Sequence, residues 1–259
     1  MNLEGWVKDS LEGLDGALLP EDRLPTLERI LLDIDSGMSI SSVKRMRSRK
    51  NVVLALDLVS CDGTPERYVA KLFVTESYEK ELKILTNCMR EHLRVPDVIR
   101  AESGVCLLEY LEGELLVHRL NHTFDSSLAE EIAGWYYGFH NSQHIIKGDP
   151  RLRNFICTSD GLYGFDFEEA GQGDWMADIG GISASMLDTD PIFDQRKRVL
   201  AWLLLDRYLA HRGEKRNDDT AAMYVNAIAD ALKQTGRWRD DSRIIELSEN
   251  IRSHGIPIG

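Results

Sequence analysis

Between Leu24 and Ile34 the apolar positions Leu24, Leu27, Ile30, Leu31 and Ile34 fall on one helical face. Pro25 suits a first turn and Gly37 a stop, so residues 1–36 read as a helical segment closed by a glycine. The period then changes. Ser39 to Met46 reads as a strand, and Asn51 to Ser60 (NVVLALDLVS) is β-branched and apolar. Cys61-Asp62-Gly63-Thr64-Pro65 has turn chemistry, and Arg67 to Val74 (RYVAKLFV) completes an antiparallel meander. Helical spacing returns over Ser77 to Arg90, and Val105 to Leu111 (VCLLEYL) is a further strand ending at Glu112-Gly113-Glu114. Beyond that point helices dominate: Leu128 to His140, Asp194 to His211, Asp219 to Gln234 stopping at Gly236, and Ser242 to Ser253 stopping at Gly255. Asn154 to Phe167 reads as a short hairpin turning at Ser159-Asp160-Gly161. A strand-rich first part with one helix inserted, followed by a helical second part, is an α+β pattern. The divisions expected are 1–36, 37–111 and 112–259.

Composition narrows the class. The chain has 259 residues, 43% of them hydrophobic, which is enough for one large domain or two joined lobes. Thirty-one Lys plus Arg stand against 43 Asp plus Glu, a net charge of −12. This argues against duplex nucleic acid or an anionic membrane as partner. The four cysteines, Cys61, Cys88, Cys106 and Cys157, form no C-x-x-C pair, so free thiols in a reducing compartment are expected. The start, Met-Asn-Leu-Glu-Gly-Trp, lacks the signature of a secretory leader, and the longest apolar run, Val199 to Leu205, is far short of a bilayer span. The expected location is cytoplasmic.

The stretch His140 to Glu169 holds the most chemistry. Asn154 stands five positions after Asp149, and Asp166 ends the strand that follows the Asp160-Gly161 turn. Phosphoryl transfer uses such a set: one carboxylate takes or orients the proton of the attacking hydroxyl, while another and an amide oxygen hold Mg²⁺. Gly148 and Pro150 place Asp149 on a loop. Two H-x-x-x-H pairs, His118/His122 and His140/His144, have the spacing of zinc ligands but no adjacent Glu and no third ligand, and read as structural. There is no P-loop, no G-x-S-x-G elbow and no dinucleotide fingerprint.

A D-x-x-x-x-N loop followed by a strand ending Asp166-Phe167-Glu168 resembles the protein-kinase-like fold, in its aminoglycoside-phosphotransferase and choline-kinase-like branch. The resemblance implies two lobes: residues 37–111 as an antiparallel-sheet N-lobe with one helix, and 112–259 as a mainly helical C-lobe. Residues 1–36 fall outside it as an extension. It implies ATP and Mg²⁺ as cofactors, Asp149 as catalytic base, and Asn154 and Asp166 as metal ligands. Lys71 in RYVAKLFV takes the place of the strand lysine that grips the phosphates, paired with Glu81 or, failing that, Glu79. An edge-strand lysine reaching solvent is the alternative for Lys71. Strand alternation puts Val69 on the same face, where it would cover the adenine. Leu108-Glu109-Tyr110-Leu111 resembles the hinge. Leu108 would back the pocket, the Glu109 carbonyl and Leu111 N–H would bond the base, and Ile156 would form the floor, with Phe165 nearby. Asp178, in a G-D-x-x-x-D pattern, would hold the catalytic-loop backbone.

Two features depart from that pattern. The loop Met46-Arg47-Ser48-Arg49-Lys50-Asn51 contains no glycine and lies in a basic cluster with Lys44 and Arg45. It reads equally as a phosphate grip, a solvated hairpin or a docking patch. Lys147 stands where a His is usual, two residues before Asp149; steadying Asp149, contacting substrate and replacing the structural role of the His are all open. The resulting expectation is an ATP-dependent phosphotransferase acting on the hydroxyl of a small molecule. An atypical Ser/Thr protein kinase, with a protein as substrate, and a nucleotide-binding pseudokinase scaffold are the alternatives.

Overall fold

The computed structural model describes residues 2–7, 11, 16–74 and 77–258. The chain divides into two compact units, residues 1–87 with 96–111, and 88–95 with 112–259.

The first unit contains helix α1 (Arg23–Ile34), strands β1 (Ser39–Met46), β2 (Val52–Val59) and β3 (Pro65–Leu72), and the greater part of α2 (Tyr78–Arg90). Strands β4 (Val98–Glu102) and β5 (Val105–Glu109) complete it. The five strands form one sheet in the order β1-β2-β3-β5-β4, antiparallel throughout. Cross-strand rows show how side chains divide between its faces. Leu54, Ala70 and Leu107 lie opposite one another, and all three belong to the core packed on Leu24, Leu27, Ile30 and Leu31 of α1. The neighbouring rows, Ala55-Val69-Leu108 and Val53-Lys71-Cys106, are one residue out of phase and belong to the other face. One face is therefore apolar core under α1, and the other carries the lysine.

Among the described residues, the helical reading of residues 1–36 holds for Arg23–Ile34, preceded by a turn in which Trp6 and Val7 N–H donate to the Leu3 carbonyl. Gly16 at φ +83° and Pro20 interrupt any longer helix; residues 8–10 and 12–15 lie outside the described ones. Nor is the segment an appendage, since α1 supplies one wall of the core. Strand β4, with only half-buried and exposed positions, is not announced by periodicity.

The second unit opens with β6 (Glu114–Leu115), α3 (Leu116–Thr123) and α4 (Ser127–Gln143). A single 3-10 turn (Leu152–Asn154) leads into the hairpin β7 (Phe155–Thr158) and β8 (Gly161–Gly164), and β6 pairs with β7 in a three-stranded sheet. Helices α5 (Trp175–Leu187), α6 (Gln195–His211), α7 (Asp218–Arg239) and α8 (Ser242–His254) follow. An aromatic core of Trp135, Phe139, Phe155 and Phe167 packs through stacked and edge contacts with ring centroids 4.9–5.5 Å apart. Helix α7 does not stop at Gly236 as its sequence suggests. A Cβ there would meet Ile245 at 2.7 Å and the Asp241 carbonyl at 3.2 Å, so the glycine admits the turn into α8 against an unbroken helix. Among the described residues, no helix is long and apolar enough to cross a membrane.

Candidate active site

In the first unit, Lys71 is 7% exposed and Glu81 2%. The Lys71 ammonium donates to both Glu81 carboxylate oxygens, at 2.7 and 2.9 Å. An ammonium on an apolar sheet face is costly unless an opposite charge meets it. Glu81 can do so because it lies on the buried stripe of α2, with Leu85 and Cys88, whereas Glu79 points to solvent. Lys71 is thus a paired lysine rather than one reaching solvent from an edge strand. Cys106, opposite Lys71 in the register, has its thiol pushed up to about 12 by burial and then by Glu81, against the pull of Lys71. It stays protonated and is no nucleophile. Val69 and Leu108 face each other across β3 and β5, Leu108 being buried. The Glu109 N–H donates to the Asp97 carbonyl at 2.9 Å, and Leu111 follows the end of β5 half-buried. In the basic loop, Asn51 is fully buried and accepts from the Val74 N–H at 2.9 Å, which anchors the loop to the end of β3.

In the second unit, the segment from Lys147 to Asn154 folds on itself. One Asp149 carboxylate oxygen accepts from the Asn154 side-chain amide at 2.9 Å; the other pairs with Arg151 at 2.7 Å. The Asn154 amide also donates to the Asp149 carbonyl at 3.1 Å, so its own side-chain oxygen is the group left to act as acceptor. Gly148 is at φ +80°, and a Cβ on it would lie 2.2 Å from the Glu169 carbonyl; only glycine passes there. Asp166 is at φ +65°, a left-handed conformation that Asp adopts more readily than most non-glycine residues. Ile156 sits on β7 beside Leu115, and the Phe165 N–H donates to the Asn154 carbonyl at 3.0 Å.

Lys147 is fully buried. Its ammonium donates to the Asp166 carbonyl at 2.7 Å and to the Asp149 carbonyl at 3.4 Å, over the rings of Phe155 and Phe167. Of the three roles left open for it, the geometry is structural: the cation ties the loop to the residue that ends the hairpin. Asp178, in the first turn of α5 and fully buried, accepts from the backbone N–H groups of Lys147 and Gly148 at 2.5 and 3.0 Å. His140 bonds Asp178 at 3.0 Å and the Tyr208 hydroxyl at 2.7 Å, so this histidine orients a carboxylate. His122 lies 3.6 Å from Glu114.

A cavity of about 360 Å³ opens beside Asp149. Its walls come from the loop, α5 and α7, and include Arg151, Asp188, Asp230, Trp238 and Arg239. Sequence reasoning missed these residues. Asp188 and Arg239 meet at 3.0 Å from the ends of two different helices, and no local spacing signals such a pair. Arg151 alone had a local signal, its position two residues after Asp149.

No protein-family model and no curated protein matches the sequence. Solved structures do. An amicoumacin kinase in complex with AMP-PNP and Ca²⁺ superposes with a TM-score of 0.55 at 13% identity, covering 92% of this chain and 97% of the other. A choline kinase from Cryptosporidium parvum Iowa II gives 0.55 at 13%, covering 90% and 94%. A choline/ethanolamine kinase family protein from Mesorhizobium loti gives 0.54 at 12%, covering 90% and 93%. At these identities the likeness carries the fold: this chain has the α+β, two-lobed protein-kinase-like fold of that group, as its loop and hairpin motifs suggest.

Proposed function

We propose that the protein is a phosphotransferase that moves the γ-phosphoryl group of Mg-ATP to a hydroxyl of a small molecule. The observation that carries this reading is Asp149, fixed by Arg151 and Asn154 on the rim of a cavity of small-molecule size. Asp149 takes the proton of the acceptor hydroxyl as its oxygen bonds to the γ-phosphorus; the bond from that phosphorus to the bridging oxygen breaks, and ADP leaves. Lys71, oriented by Glu81, contacts the nucleotide phosphates. Val69, Leu108, Ile156 and the backbone of Glu109 and Leu111 hold the base.

Asn154 and Asp166 offer an amide oxygen and a carboxylate, hard donors that suit Mg²⁺, and both are tied to the Asp149 segment, Asn154 directly and Asp166 through Lys147. When bound, the metal neutralises phosphate charge. The chain's own contribution is positioning: the hydrogen bonds that fix Asp149 keep its carboxylate aligned for the acceptor.

The test is ATP consumption by the purified protein in the presence of pooled metabolites, with and without Mg²⁺. Metal-dependent ADP formation with phosphate on a metabolite, lost in Asp149→Asn, supports the reading. Phosphate found only on protein favours the protein-kinase alternative, and nucleotide binding without transfer favours a scaffold.

A further inference from the structure

Three cross-strand rows succeed one another on the lysine face of the five-stranded sheet. Val53, Lys71 and Cys106 form the first, and Ala55, Val69 and Leu108 the second. Two residues further along the strands, roughly 7 Å away, Ser42, Asp57 and Arg67 form the third. The third row is polar and joined throughout. The Ser42 hydroxyl donates to one Asp57 carboxylate oxygen, and Arg67 Nε donates to the other at 2.8 Å. Ser42, and then Arg67, hold the Asp57 carboxyl below its ordinary range, so it stays ionised opposite the guanidinium. The row ends on an aromatic ring: the Arg67 guanidinium carbon lies 3.8 Å from the ring centroid of Tyr110.

Tyr110 stands where the ladder stops. The last paired residues of β3 and β5 are Tyr68 and Glu109, and Tyr110 follows them, half-buried and outside the strand. It also separates the two backbone groups proposed to bond the base. The Glu109 carbonyl lies in the peptide plane before Tyr110, and the Leu111 N–H in the plane after it. The φ and ψ of Tyr110 alone therefore set the angle between those two groups. Outside the ladder, these dihedrals are restrained through the side chain. A ring stacked on a planar, ion-paired guanidinium holds the Cα–Cβ bond from which it hangs.

We infer that Arg67 is a positioning residue for the nucleotide base, holding Tyr110 so that the Glu109 carbonyl and the Leu111 N–H meet one adenine together. This rests on the phosphotransferase reading above. Asp57, held by Ser42, supports the guanidinium. Arg67 stands two rows from Lys71 and acts on the base end of the nucleotide, leaving the phosphates to Lys71.

The experiment measures the affinity of the full chain for Mg-ATP, Mg-ADP and AMP by isothermal titration calorimetry. Arg67→Leu should weaken all three by the same factor, about 2- to 30-fold, the span of cation–π contacts from exposed to desolvated sites. Arg67→Lys keeps a charge for Asp57 but loses the planar stack, and should recover only part of the loss. Tyr110→Leu should cost as much as Arg67→Leu, and the double variant no more than either, since each removes the same contact. A loss that grows with the number of phosphates would put Arg67 on the phosphates and overturns the inference. Unchanged affinities overturn it too, whatever happens to thermal unfolding, as do losses that add in the double variant. Should Arg67→Leu not fold, Tyr110→Leu and Arg67→Lys give the same comparison across the three nucleotides. Absence of Mg-ATP binding by the unaltered protein defeats the phosphotransferase reading itself, a result distinct from each of these.

Discussion

The ammonium of Lys147 donates to the backbone carbonyl of Asp166 at 2.7 Å, joining the residue two before Asp149 to the residue proposed as a metal ligand. Lys147 is fully buried and Asp166 half-buried, so the ammonium has given up its water for this carbonyl. Lys147→Met should destabilise the protein by about 1–3 kcal/mol, because a carbonyl is left without its donor. Turnover should fall as well, with Lys147→His recovering part of both losses. Urea denaturation and ADP release measure the two effects; a stable, fully active methionine variant would remove the tie proposed here.

The buried pair Lys71 and Glu81 invites a double-mutant cycle. Removing one member leaves a charge stranded in an apolar layer, at a cost of about 3–5 kcal/mol. Lys71→Met and Glu81→Leu together should cost less than the sum of the two single changes, as read by denaturant midpoints. All three variants should lose nucleotide binding, measured by thermal shift with Mg-ATP.

Gly148→Ala should be strongly disruptive for its size. The new Cβ would collide with the Glu169 carbonyl in a backbone conformation that L side chains rarely adopt. A loss of stability of about 1–3 kcal/mol is expected, together with a fall in turnover, since Asp149 is the next residue. Gly63→Ala is the comparison: Gly63 has a similar φ, +88°, but open space around it, so it isolates the strain from the clash.

Lys197 gives a pH signature. It is fully buried, donating to the Thr189 carbonyl at 2.6 Å and hydroxyl at 2.9 Å. Burial pulls its pKa down to about 8 from 10.5; Asp194, Asp188 and Asp190 pull the other way, and Arg196 adds to the lowering. Between those values the unfolded chain holds a proton that the folded one has released, so this lysine makes stability rise with pH across that window. The buried thiols of Cys88 and Cys106, pushed up to about 12 by burial, act in the opposite sense as the unfolded thiols ionise from about 9 upward. The difference between the unaltered protein and Lys197→Met isolates the lysine. Its stability advantage from pH 7.5 to pH 10, measured by urea midpoints, should be absent in the variant.

The sheet of the first unit was readable because its strands keep a period of two and because Lys71 interrupts one of them, a polar residue where only a paired charge is tolerated. The loop from Asp149 to Asn154 and the hairpin ending at Asp166 were readable from spacing and turn residues. Helix α5 was not: it is buried on nearly every side, from Met176 to Leu187, and such a helix has no polar face to give it a period. Strand β4 was missed for the opposite reason, since none of its residues is fully buried. The cavity wall was also invisible, because Asp188 and Arg239 become neighbours only when α5 and α7 pack.

The place of α1 under the sheet bears on how the protein is produced. A chain begun at Gly37 would present the undersides of β2, β3 and β5, including Leu54, Leu56, Ala70 and Leu107, to solvent. Such an uncovered apolar surface is prone to self-association, so recombinant versions trimmed to the kinase-like portion should precipitate, while those retaining the first helix should stay monodisperse in gel filtration.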